Sequence, residues 1–123
     1  MTTIQAGLTY YKQVNEKVRE AAEKDDSITI ENVIGQRYIG DGASDKTITI
    51  YGVPGNALGA YLNGAQLIVH GNAQDAIGDT MNCGQITVHG NAGDAAGYAM
   101  RGGTIMVRGS VGYRAGIHMK AYQ

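Results

Sequence analysis

Residues 90–97 read Gly90-Asn91-Ala92-Gly93-Asp94-Ala95-Ala96-Gly97, a G-xx-G-xxx-G pattern. It returns at Gly109-Ser110-Val111-Gly112-Tyr113-Arg114-Ala115-Gly116 and, earlier, at Gly52-Val53-Pro54-Gly55-Asn56-Ala57-Leu58-Gly59. A fourth copy, Gly71-Asn72-Ala73-Gln74-Asp75-Ala76-Ile77-Gly78, keeps the outer glycines and replaces the middle one. Each step is 19 residues and the register never slips. Self-similarity at a short fixed period marks a solenoid, whose units bury a face only by stacking on one another.

The residues between the glycines obey the same period. Ile48, Leu67, Ile86 and Ile105 form one column, and Ile50, Val69, Val88 and Val107 form the next but one. Thr49, Ile68, Thr87 and Met106 lie between them, and Tyr51, His70, His89 and Arg108 follow. Period-two alternation predicts a strand with one face inward. Later in each unit Leu58, Ile77, Ala96 and Ala115, then Leu62, Met81, Met100 and Met119, suit a second strand pointing into the same core. A 19-residue unit has no room for two strands and a crossover helix. Each unit is therefore one coil of an all-β, right-handed parallel β-helix of about five coils, right-handedness being the rule for parallel crossovers.

Upstream, Tyr10, Val14, Val18 and Ala21 recur at helical spacing among charged residues, predicting a short amphipathic helix over 9–24 that caps the solenoid. Residues 1–27 form this N-terminal segment and 28–123 the β-helix, with 28–45 a degenerate first coil. The C-terminal Ile117-His118-Met119-Lys120-Ala121-Tyr122-Gln123 stops where a further strand would begin, leaving an open end suited to self-association or a partner.

Composition narrows the function classes. A formal charge of -1 arises from interspersed acids and bases, so no basic footprint for nucleic acid or an anionic membrane is present. One cysteine, Cys83, and no signal-like apolar N-terminus point to the cytoplasm. Nineteen glycines, about twice the usual share, beside one proline indicate ordered turns.

Few residues offer chemistry. Gly40-Asp41-Gly42 is a G-x-G without the third glycine or the strand-to-helix context of a dinucleotide site. His70 and His89 share a column with Tyr51 and Arg108; two ligands are too few for a metal, so these four form a candidate contact ladder facing solvent or a partner. Asp75 and Asp94, with Asn72 and Asn91, are expected to accept backbone N–H groups in successive turns. Cys83 reads as a small, partly buried filler and the methionine column as core. No catalytic residue, metal site or cofactor is expected on this chain.

The three G-xx-G-xxx-G copies, in register with matching strands, together with Gln36-Arg37-Tyr38 and Asp45-Lys46-Thr47-Ile48-Thr49-Ile50, resemble the C-terminal β-helix domain of glutamate synthases over 28–119. The structural motif is then Gly52, Gly55, Gly59, Gly71, Gly78, Gly90, Gly93, Gly97, Gly109, Gly112 and Gly116. In that family the transfer of glutamine amide nitrogen to 2-oxoglutarate is done by a glutaminase domain and a flavin barrel. The resemblance therefore implies a non-catalytic structural or docking role in glutamate biosynthesis, with FMN and an iron–sulfur cluster on partner subunits. Related β-helices in formylmethanofuran dehydrogenases and N-methylglutamate synthases are alternative parents, and a stand-alone homo-oligomeric scaffold is a third reading.

Overall fold

A computed structural model describes residues 1–112 and the backbone of 119–121. The order is β1 (Thr2–Gln5), α1 (Tyr11–Ala22), β2 (Ser27–Ile34), β3 (Thr47–Val53), β4 (Asn63–His70), β5 (Cys83–Val88), β6 (Thr104–Val107) and β7 (Met119–Ala121). All seven strands pair in chain order into one parallel sheet. Ile48 sits beside Leu67, Leu67 beside Ile86 and Ile86 beside Ile105, which is the 19-residue register. The chain is a parallel β-helix, as the repeat predicts.

Alternation builds its core. Ile28, Ile48, Leu67, Ile86 and Ile105 stack as one sealed column, and Ile30, Ile50, Val69, Val88 and Val107 as another. Each such side chain contributes roughly 1.5–3 kcal/mol by leaving water. The intervening Thr49, Ile68, Thr87 and Met106 are half-buried on the outer face.

The second inward face differs from the expectation of a strand. Leu58, Ile77, Ala96, Leu62, Met81 and Met100 are buried as predicted, but the first three lie on turns and the last three directly after them. Alternate residues there take left-handed φ: Ala57, Gly59 and Tyr61 in one coil, Ala76, Gly78 and Thr80 in the next, then Ala95, Gly97 and Ala99. Left-handed residues at every second position curl the chain, so no extended run survives. The coils are still tied: Gly59 donates to Ile39 O, Gly78 to Leu58 O and Gly97 to Ile77 O, each at 2.8 Å.

Residues 28–45 do form a first coil, with a bulge. Ile28 and Ile30 pair with Ile48 and Ile50, whereas Val33 pairs with Gly52, so Glu31 and Asn32 together oppose Tyr51. Asn32, at φ 56, takes up the extra residue as a β-bulge does.

Both ends hold a strand that the sequence reading did not place. β1 pairs with β2, Thr2 beside Ile28, so α1 is the crossover between two parallel strands and presents Val14, Val18 and Ala21 to the core. Buried Gln36 pins this unit, donating from Nε2 to Gly7 O (2.8 Å) and Thr9 O (3.0 Å) while its Oε1 accepts from Ile34 N (2.7 Å). The Thr2 hydroxyl donates to Asp25, which holds that carboxyl below its usual range. At the other end β7 pairs Met119 with Ile105, a step of 14 residues that shortens the last turn. Met119 therefore belongs to the sheet and not to the Met81–Met100 column. Tyr113, Ala115, Gly116, His118 and Tyr122 lie outside the described residues.

Candidate functional site

The register that stacks the core also stacks the outer residues at the strand ends. Tyr51 and His70 are in register, and their rings lie 4.7 Å apart at 13°. The His70 and His89 rings follow at 4.9 Å and 4°. Arg108 extends the column, its Nη1 3.4 Å from His89 Nδ1. A guanidinium only donates, so in this contact His89 Nδ1 is the acceptor. All four members of the predicted ladder are brought together and all are exposed. Beside them Thr87, His89, Met106 and Arg108 line an open hollow of about 250 Å³.

This arrangement is suited to contact. Parallel imidazoles direct their ring nitrogens along parallel planes, so the lone pairs do not converge on one ion. No group of three His, Cys, Asp or Glu residues among those described is placed to hold a metal. Stacked rings ending in a guanidinium instead form a rigid strip for aromatic, amide or carboxylate partners.

The glycine motif supports this strip from behind. A Cβ on Gly52 would fall 2.8 Å from Val33 N and closer still to Val33 O. Gly71, Gly90 and Gly109 face the preceding coil in the same way, and Gly55, Gly93 and Gly112 meet the backbone of the coil below. Gly59, Gly78 and Gly97 are instead left-handed residues whose missing side chains leave room for core methyls. Of the family glycines only Gly116 is outside the described residues.

The predicted turn ladder is present. Asn72 Oδ1 accepts from Asn91 N and Asn91 Oδ1 from Ser110 N, both at 2.8 Å. Asn56 Oδ1 accepts from Asp75 N (3.1 Å) and Asp75 Oδ1 from Asp94 N (2.8 Å). Cys83 departs from expectation: it is exposed, and its Sγ donates to Asn63 Oδ1 at 3.6 Å. Asn63 pairs with Cys83 just before Gly64 and Ala65 together oppose Gly84, and this bulge directs the thiol outward.

Asp41 was missed. Its Oδ1 accepts from Ala60 N at 2.9 Å, while crowding by the protein and then the charge of Asp79 push its carboxyl up to about 7. The residue is nonetheless exposed, so water screens its charge. The signal was its column, since Asp41 and Asp79 stand two coils apart.

Half of the chain is similar to an uncharacterized protein of Methanocaldococcus jannaschii, 48% identical over 66 residues. The match spans a quarter of that protein's length. No solved structure matches. The GXGXG motif family matches residues 8–123, so the chain belongs to this family, that of the glutamate synthase C-terminal domain.

Proposed function

We propose that the chain is a structural and docking component of a glutamate synthase-like amidotransferase and flavin oxidoreductase complex, without chemistry of its own. The observation that carries this reading is the family match over 8–123, which covers the helix and strands β2 to β7. The family's chemistry belongs to other domains, a glutaminase and a flavin barrel with FMN and an iron–sulfur cluster, which this reading places on partner subunits. Physical support comes from the surface. A rigid solenoid carries loads between neighbours, and the exposed column Tyr51, His70, His89 and Arg108 supplies preordered rings and a guanidinium of the kind enriched at interfaces. No helix among the described residues is long and apolar enough to cross a membrane.

The test is a tagged pull-down from the native cell at mild salt, with mass spectrometry and a flavin absorbance scan. Recovery of a flavin-barrel protein with a glutaminase is expected. Recovery of the chain alone, colourless and as a fixed oligomer, would overturn this reading in favour of a free-standing scaffold.

A further inference from the structure

Helix α1 does not lie flush on the first coil. Between them is a cleft of about 250 Å³ whose walls include Asn15, Arg19, Tyr38, Asp41, Ser44 and Lys46. One buried unpartnered acceptor, on Asn15, and two exposed charges, Arg19 and Asp41, meet there. Asn15 is 8% exposed and its Oδ1 is buried without a hydrogen-bond partner. Turning the amide over would not help, because Nδ2 already donates to Arg37 O at 2.9 Å. A buried acceptor left unpaired is destabilising, and a donor brought by a ligand relieves it. Arg19, in the last turn of the helix, has no hydrogen bond or ion pair among the described residues. Lys46, by contrast, is held by Asp26 at 3.0 Å. Asp41 has one backbone donor, Ala60 N, and crowding by the protein, then the charge of Asp79, drive its carboxyl toward the protonated form.

From this juxtaposition we propose that the cleft between α1 and residues 38–46 binds a small zwitterion, a free α-amino acid, with its carboxylate on Arg19 and its ammonium toward Asp41 and the Asn15 amide. The guanidinium offers a planar pair of donors matched to a carboxylate. Asn15 Oδ1 lacks a donor, Asp41 has one backbone donor and room for more, and an ammonium has three. The volume suits a molecule of amino-acid size and excludes a nucleotide. The Tyr38 ring, tilted against Tyr11 with centroids 5.7 Å apart, closes one side. The site is on the first coil, far along the chain from the ladder residues His89 and Arg108, and does not depend on the docking role.

The test uses the full chain and needs no partner. The twenty standard L-amino acids are screened by thermal shift at 10 mM. The best is then titrated calorimetrically beside its decarboxylated amine and its deaminated acid. At least one amino acid is expected to bind with Kd of 1 mM or tighter, and each one-group analogue at least tenfold more weakly. Arg19→Gln and Asp41→Asn, both exposed positions that leave the fold intact by circular dichroism, should each weaken binding at least tenfold. No shift with any amino acid, or binding that both substitutions leave unchanged, would overturn the proposal.

Discussion

Replacing Gly52 by alanine tests the packing of one coil on the next. Gly52 adopts φ 122, beyond the left-handed helical region, where a non-glycine residue costs about 1–3 kcal/mol. The new Cβ would also lie 2.8 Å from Val33 N and nearer still to Val33 O, atoms of the residue paired with Gly52 across β2 and β3. Backbone cannot swing aside as a flexible side chain can. Relief requires the two strands to separate locally, at about 1 kcal/mol for each ladder hydrogen bond lost. The sum is about 3–5 kcal/mol, which for a domain of this size lowers Tm by roughly 10–20 °C. The control is Gly42→Ala: its φ of 66 is also positive but nothing lies within 4 Å of the added Cβ, so only strain of about 1–2 kcal/mol remains. Urea unfolding followed by far-UV circular dichroism compares the two. Equal losses for both substitutions would refute the claim that contact between coils, and not φ alone, demands glycine at the first motif position.

Gly97→Val places a β-branched side chain at φ 69 with its Cβ 2.9 Å from Met100 Sδ; a loss of about 2–4 kcal/mol is expected, checked by the same unfolding curves. Asn91→Ala removes the acceptor for Ser110 N and should cost about 1 kcal/mol, whereas Asn91→Asp should be near neutral. Asp41, raised to about 7 from 3.8, binds its proton more tightly folded than unfolded. Stability therefore falls as pH rises from about 4 to 7 and levels above, by no more than ~1 kcal/mol once solvent screening is allowed for. Asp41→Asn should abolish that slope in pH-resolved thermal melts, and a slope that persists would assign it to another group.

The repeat made the sheet, its register and both core columns legible, because every coil carries the same inward pair, such as Ile86 and Val88. The ladder was legible for the same reason: residues a full period apart must stack. The turns were not, because Ala57, Thr80 and Ala99 hold left-handed φ that their residue types do not announce; stacking of identical corners imposes it. β1 escaped notice because its rung is separated from β2 by a helix, so the first offset, from Thr2 to Ile28, does not share the period. β7 escaped because its offset is 14. Cys83 was misjudged because a bulge at Gly64 and Ala65 changes which way its column faces. The α1 cleft arises from packing between a helix and a coil, which no spacing within either element encodes.

The docking role is tested most directly by comparing tagged wild-type protein with a His89→Ala, Arg108→Glu double variant in the native cell. Both positions are exposed on the ladder, so the variant should melt with the wild type. The account predicts that wild type captures a flavin-bearing partner with its 450 nm absorbance and that the variant loses it at least tenfold. Equal capture by both proteins would contradict docking through the ladder, and capture of no flavoprotein by either would contradict the assembly role itself.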